Sequence, residues 1–103
     1  MDIAKNFRLT RLFDFYSKLL TDKQRDVFEM YYFKDTSLGE ISAILSITRQ
    51  AVRDSLINTE KILNDYETKL GLLKKYEQLE LVLKDCNMTK QDKEKIMLVW
   101  EGK

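Results

Sequence analysis

The chain has 103 residues, of which 44% are apolar and 34% are charged, and eleven are aromatic. This length is typical of one domain, and the aromatic and aliphatic residues can supply a core, which argues against disorder. The sequence holds no proline and three glycines, whereas all-β folds need many tight turns built from these residues. The composition therefore predicts an all-α protein.

Residue counts also exclude several kinds of chemical site. The sequence has no histidine, so histidine metal sites and histidine-based catalytic triads are excluded, and we predict no bound metal or cofactor. The single cysteine, Cys86, excludes a disulfide framework and paired-cysteine zinc sites. We interpret Cys86 as a small, half-buried residue near a helix end, because no base that would activate a nucleophile is apparent. These observations predict a protein that is not an enzyme.

Hydropathy and charge limit the kinds of partner that the sequence predicts. Charged residues interrupt the N-terminal segment and no apolar run has the length of a membrane span, so we expect a cytoplasmic protein with no membrane insertion. The net charge is +1, and residues 1–36 carry seven basic and six acidic side chains. Residues 37–61 carry three of each sign and residues 62–103 carry eight of each. Nucleic-acid-binding proteins usually show a basic patch, so this even distribution weakens a prediction of tight DNA binding.

Apolar residues recur at helical spacing almost from end to end and predict about six helices. In chain order, the predicted helices span about 3–20, 22–33, 38–45, 49–69, 72–85 and 90–101. Thr21 with Gln24, and Ser37 with Glu40, have the form of capping boxes. Gly71 stands where a left-handed residue commonly ends a helix. We predict a single all-α domain over 1–103, with a helix-turn-helix at about 37–61 and a long C-terminal helical extension at about 72–101.

The stretch from Leu38 to about Ile57 has the pattern of a helix-turn-helix, because two helices are separated by three residues. Ser42 supplies a small residue for the helix crossing. Ser46 opens the turn at a position that is commonly glycine, so we expect a left-handed backbone there. The side chains predicted to point inward are Ile41, Ile44, Leu45, Ile47, Val52 and Leu56.

The outward side of the second helix, here called the recognition face, carries polar side chains. Arginine and glutamine suit guanine and adenine edges in the major groove, and lysine and arginine suit phosphates. The candidate nucleic-acid-binding residues are Arg49, Gln50, Arg53, Asn58 and Lys61. Asp54 also falls on this face and would repel phosphate. The alternative interpretation is an ordinary solvated face on a helix-turn-helix that serves as a scaffold.

A long run of the chain resembles a known bacterial family. The run reads TDKQRDVFEMYYFKDTSLGEISAILSITRQAVRDSLINTEKIL and continues NDYETKLGLLKKYE. It resembles the YlxM-type family of small bacterial proteins, and the resemblance covers about residues 7–80. The resemblance implies a helix-turn-helix similar in fold to the promoter-reading region 4 of sigma factors.

The same resemblance implies a function and a set of residues. Members are usually encoded beside the GTPase of the signal recognition particle, which implies a regulatory role in that pathway, with this GTPase or its RNA as partners. The recognition-helix residues that carry over from the family are Arg49, Gln50, Ala51, Val52, Thr59, Glu60 and Lys61. The chain departs from the family at Arg53, where an aromatic residue is typical, and at Asn58, where a basic residue is common.

Two functional hypotheses remain open at this point. The first is a nucleic-acid-binding regulator, acting in the signal recognition particle pathway or, alternatively, as a DNA-binding transcriptional regulator independent of it. The second is an adaptor whose helices contact the GTPase of the particle or its RNA. The motif favours the first hypothesis, and the charge balance does not oppose the second.

The C-terminal helices carry more consecutive apolar residues than one helix face accommodates. These runs are Leu81–Leu83 and Ile96–Trp100. Surplus apolar surface commonly contacts a partner chain, so we predict a homodimer. The alternative is that a helix packed on two sides within one domain buries these residues. The candidate partner or dimer interface residues are Tyr66, Tyr76, Met97, Leu98 and Trp100.

Overall fold

The computed structural model describes residues 5–86 and 88–101, and this part of the chain is all-α. Its α-helices are α1 (Arg8–Tyr16), α2 (Asp22–Tyr32), α3 (Leu38–Leu45), α4 (Arg49–Leu70), α5 (Leu72–Lys84) and α6 (Lys90–Glu101). A short 3-10 helix, Ser17–Leu19, follows α1. The predicted all-α fold with about six helices is confirmed.

The first helix is shorter than predicted at both ends. The predicted residues 3 and 4 lie outside the described part, and α1 begins at Arg8, whose backbone N–H donates to Asn6 Oδ1 at 3.1 Å. At its other end α1 gives way to the 3-10 helix, because Leu20 must be extended to lead into the next cap. The Arg25 guanidinium donates to the carbonyl oxygens of Ser17 and Leu20 at 3.1 and 2.9 Å. The Arg25 side chain therefore holds the end of the 3-10 helix against the start of α2.

Side-chain caps set the starts of the next three helices. The capping box of Thr21 and Gln24 is formed in full, and so is that of Ser37 and Glu40. The Thr48 hydroxyl accepts a backbone N–H of the first turn of α4 at 3.0 Å. Each such cap is typically worth about 1 kcal/mol of stability. The observed helix starts therefore confirm the predicted ones.

Helix α4 is the central element, since α1, α2 and α3 all pack against it. Its first half belongs to a buried cluster formed by Val27, Tyr31, Leu38, Ile41, Val52 and Leu56. Its second half belongs to a cluster formed by Leu9, Leu12, Phe13, Tyr16, Leu20, Phe28, Leu63 and Leu73. At about 1.5 Å per residue, its 22 residues span roughly 33 Å, which is long enough to contribute side chains to both clusters.

A polar network joins α1, α4 and α5. The Glu67 carboxylate accepts the backbone N–H groups of Leu73 and Lys74, at 3.0 and 3.1 Å, and so caps α5. The Tyr16 hydroxyl donates to Glu67 Oε1 at 2.7 Å and accepts the N–H of Leu72 at 3.1 Å. The start of α5 therefore depends on a side chain of α4 and on another of α1.

The ionisation of this network follows from its contacts. Burial opposes the charged form of Glu67, but the hydrogen bonds from Tyr16 and from two backbone N–H groups outweigh it and lower the pKa of Glu67. Burial and the bond to Glu67 raise the pKa of Tyr16 to about 12. Tyr16 thus remains the proton donor to a carboxylate throughout the neutral range.

Helices α5 and α6, residues 72–101, form what we call the C-terminal arm. Gly71 has φ 63°, the left-handed conformation predicted for it, and separates the arm from α4. Within the arm, Leu73 and Leu83 are buried, whereas none of the described side chains of α6 is. The molecule is accordingly elongated, 53 Å long and 26 by 23 Å across. Cys86 is half-buried just after α5, as predicted.

Candidate nucleic-acid interface

The turn between α3 and α4 has the predicted backbone. Ser46 adopts φ 56° and ψ 43°, the left-handed conformation, and Ile47 is half-buried behind it. The Ser42 hydroxyl donates to the Gly39 carbonyl oxygen at 2.7 Å, so this half-buried polar group has a partner. Local residue choice therefore produces the three-residue turn that brings α3 against α4.

The inward side chains of the motif are those predicted, with one correction. Ile41, Val52 and Leu56 are buried, and Leu45 is half-buried. The prediction that Ile44 points inward is wrong, because its side chain is 62% exposed. At about 100° per residue, Ile44 lies roughly 80° from the middle of the stripe that Ile41 and Leu45 define.

The five candidate nucleic-acid-binding residues lie along two lines of α4. Gln50 and Lys61 are exposed near the middle of the outward side, and exposed Asn58 lies beside them. Arg49 and Arg53, four residues apart, lie on one flank of the helix. Arg49 is exposed and its guanidinium lies over Gly39 of α3, whereas Arg53 is half-buried. The two arginines therefore border the recognition face, whereas Lys61 and the polar side chains lie near its centre.

An acidic side chain lies at that centre. Asp54 is exposed, and its Oδ1 accepts a hydrogen bond from Gln50 Nε2 at 2.8 Å. The sequence predicts Asp54 on this face as a repulsive charge only, and its contact with Gln50 is a finding of the structure. The spacing of four residues on one helix was the available signal, because such pairs are neighbours on the helix surface.

The residues that the family resemblance carries over divide between the two sides of α4. Arg49, Gln50 and Lys61 are solvent-exposed, whereas Val52 and Thr59 are buried. Thr59 is 1% exposed, so it packs against the core of the molecule. Of these residues, only the exposed ones are positioned so that they could contact the major groove of a DNA duplex.

The two tyrosines predicted as partner residues are engaged inside the molecule. The Tyr66 ring stacks on that of Tyr16, with centroids 5.8 Å apart. The Tyr76 ring packs edge-on against Phe15 at 5.4 Å, with the Arg11 guanidinium 5.7 Å from its centroid. Both rings are half-buried, so their first role is to attach α4 and α5 to α1.

The α6 candidates lie at the far end of the C-terminal arm. Met97 is half-buried, while Leu98 and Trp100 are exposed. The large apolar side chains exposed on the arm are Leu81, Val82, Ile96, Leu98, Val99 and Trp100. The predicted surplus of apolar surface is therefore present, and Val99 at 79% exposure is its most open member.

Other kinds of site are not seen in the described ranges, 5–86 and 88–101. There, no three side chains of the metal-binding types lie close enough together to hold an ion. No helix in the same ranges is long and apolar enough to cross a membrane.

The left-handed turn, the capped α4 and the inward apolar stripe define a helix-turn-helix protein. The sequence matches, over residues 3–100, the UPF0122 family, described as "Putative helix-turn-helix protein, YlxM / p13 like". The chain belongs to this family, and the resemblance to the YlxM-type proteins is confirmed.

Similar proteins come from several bacteria. A UPF0122 protein of Oceanobacillus iheyensis is 48% identical over 91 residues, which cover 88% of this chain and 87% of that protein. One from Caldanaerobacter subterraneus is 59% identical over 71 residues, covering 69% of this chain. A third, from a Thermoanaerobacter species, is 55% identical over 71 residues and 69% of this chain. The match spans 61% of the length of each of the last two proteins.

Proposed function

We propose that the protein is a nucleic-acid-binding regulator of the signal recognition particle pathway that uses its helix-turn-helix. The observation that carries the nucleic-acid part is the exposed first turn of α4. Thr48 caps that turn, and the side chains of Arg49 and Gln50 on it are solvent-exposed. Helix-turn-helix proteins place the N-terminal residues of this helix against base edges. The pathway part rests on the family resemblance.

The charges of the recognition face support weak binding by one copy. Arg49, Arg53 and Lys61 are its cations, and Asp54 lies among them. Because each neutralised phosphate releases counterions, few cations give a shallow dependence of affinity on salt. We expect a dissociation constant in the non-specific range of about 10⁻⁴–10⁻⁶ M for one module.

We further propose that two copies associate through α6. Met97, Leu98 and Trp100 would lie in the contact, which would cover the apolar surface exposed on the arm. Pairing two recognition helices lets one complex engage two half-sites, which strengthens the binding of modules that are weak alone. Such a dimer is consistent with the low charge of each recognition face.

A second candidate function is an adaptor that contacts the GTPase of the signal recognition particle or its RNA. The observation that favours it is the same exposed apolar surface of the arm, which would contact the GTPase directly. We propose that the protein acts in the cytoplasm, whether it binds nucleic acid or serves as an adaptor. A DNA-binding transcriptional regulator that acts independently of the pathway is the remaining alternative.

One set of titrations tests these candidates. Duplex DNA, the purified GTPase and its RNA are each titrated with the parent chain and three variants, at two salt concentrations. Arg49→Ala changes the recognition face, Val99→Ser changes the arm, and Lys69→Ala is the control, since Lys69 is an exposed cation at the far end of α4. Measurement by fluorescence anisotropy separates the partners.

Each candidate predicts a different pattern. Nucleic-acid binding through the motif is supported if Arg49→Ala weakens it several-fold and Lys69→Ala does not. Binding of the GTPase that falls with Val99→Ser and not with Arg49→Ala favours the adaptor. Selective DNA binding with no affinity for the GTPase or its RNA would reject the pathway assignment and leave the independent regulator.

A further inference from the structure

A glutamine side chain on a recognition helix is ambiguous by itself. Its carboxamide carries one accepting oxygen and a nitrogen with two donors, and it rotates freely when exposed. Gln50 is exposed in the first turn of α4, where base contacts are made in helix-turn-helix proteins. Unless something holds its amide, this side chain can offer a donor or an acceptor at any one point. Such a residue discriminates poorly between bases.

In this protein the amide of Gln50 is held. Asp54 lies one turn further along the same side of α4, and its Oδ1 is 2.8 Å from Gln50 Nε2. A carboxylate accepts hydrogen bonds and does not donate them, so it selects the nitrogen of Gln50 and turns the oxygen away. One N–H of Gln50 is used in this bond. The oxygen and the second N–H remain available to a ligand.

The free oxygen and the second N–H of Gln50 together match the hydrogen-bonding pattern of an adenine edge. Adenine presents a donor at N6 and an acceptor at N7 in the major groove, and glutamine pairs with it through its oxygen and one N–H. We propose that Asp54 is a positioning residue that fixes the amide of Gln50 for an adenine edge. This inference rests on the proposed nucleic-acid binding and adds a determinant of its specificity.

A positioning role for Asp54 also accounts for an acid at the centre of a face suited to DNA. The charge of Asp54 repels phosphate, which lowers the affinity for every duplex. Holding Gln50 in one orientation raises the difference in affinity between sequences. Asp54 therefore lowers the overall affinity for DNA and raises the selectivity between sequences. The low density of cations around it agrees with this role.

The test is a selection from a duplex DNA library with a randomised central segment, read by sequencing. The parent chain is compared with Asp54→Asn, which keeps the shape of the side chain but can donate as well as accept. The matched control is Asp65→Asn. Asp65 is an exposed acid on the same side of α4, eleven residues further on, and removing its charge leaves Gln50 untouched. Gln50→Ala identifies the base position that residue 50 reads.

We expect the parent chain to enrich adenine at one position and Gln50→Ala to lose that preference. Asp54→Asn should reduce the preference at least about fivefold, the lower end of what one two-bond base contact supplies. It should also raise the affinity for unselected duplex. Asp65→Asn should leave the preference unchanged.

The outcomes separate this inference from the proposed function. A parent chain that enriches a sequence while Asp54→Asn keeps the same preference would overturn the role of Asp54 and leave the nucleic-acid binding intact. Equal loss of preference in Asp54→Asn and Asp65→Asn would also overturn it, because charge alone would then be the cause. Absence of any binding by the parent chain would overturn both.

Discussion

The helix-turn-helix and the C-terminal arm are built on different principles although both are helical. In the motif, α3 and α4 share one buried cluster with α2, and their ends are capped by neighbouring residues. In the arm, α5 has two buried leucines, Leu73 and Leu83, and the described side chains of α6 are all exposed or half-buried. The start of α5 depends on Glu67 from another helix. The motif is thus stabilised by a shared buried cluster and by local caps, whereas the arm takes the cap of α5 from another helix and leaves most of its apolar side chains exposed.

The largest expected effect tests the core of the motif. Val52→Asp should cost several kcal/mol and unfold the helix-turn-helix, because it places an unpaired charge at a fully buried position. Ile44→Asp is the control: the Ile44 side chain is 62% exposed on the adjoining helix, so a small change is expected. Chemical denaturation followed by circular dichroism measures both. Equal losses would show that the assigned register of the motif is wrong.

The next effect concerns the surface of the arm. Leu98→Ser should leave the fold intact, since Leu98 is exposed, and should weaken self-association about tenfold or more by removing apolar area. Sedimentation over a range of micromolar concentrations gives the dissociation constant of the dimer. A parent chain that sediments as a monomer of 12.3 kDa at every concentration would contradict the dimer.

A smaller effect distinguishes the attachment of the arm from its surface. Glu67→Gln should cost about 1 kcal/mol, the value of one helix cap, and should speed hydrogen exchange of the first amides of α5. Because the pKa of Glu67 lies below its ordinary value of 4.5, its stabilisation is complete above that pH and is lost as the pH falls through the lowered pKa. The difference in unfolding free energy between parent and variant should therefore shrink in acid. A difference that grew in acid would contradict the cap.

The smallest effect tests the turn of the motif. Ser46→Gly should change the stability by no more than about 0.5 kcal/mol, because relief of the left-handed backbone at φ 56° offsets the added freedom of the unfolded chain. Ser42→Gly, inside α3, has no such relief and should cost about 0.5–1 kcal/mol. Thermal unfolding of the two variants gives the comparison. A larger loss for Ser46→Gly than for Ser42→Gly would argue against a strained turn.

Features of this protein that depend on near neighbours in the chain are predictable from the sequence. Both capping boxes, the left-handed Ser46 and Gly71, and the starts of α2, α3, α4 and α6 are predictable, because a cap or a turn involves residues three or four apart. The position of the recognition helix followed from the same local signals. Its inward stripe was readable from helical spacing, with Ile44 misassigned because it lies at the edge of that stripe.

Features that join distant parts of the chain arise only from the packing of the helices. Tyr66 and Tyr76 pack against α1, and Glu67 caps α5 with help from Tyr16, which lies 51 residues away. Arg25 of α2 reaches back to the turn after α1, where it donates to the carbonyl oxygens of Ser17 and Leu20. The buried clusters set the rotation of α4 about its axis. Arg53 therefore lies on a half-buried flank, and Gln50 lies beside Asp54 at the centre of the recognition face. Helical periodicity shows which residues share a face, but the packing of other helices determines which face meets solvent.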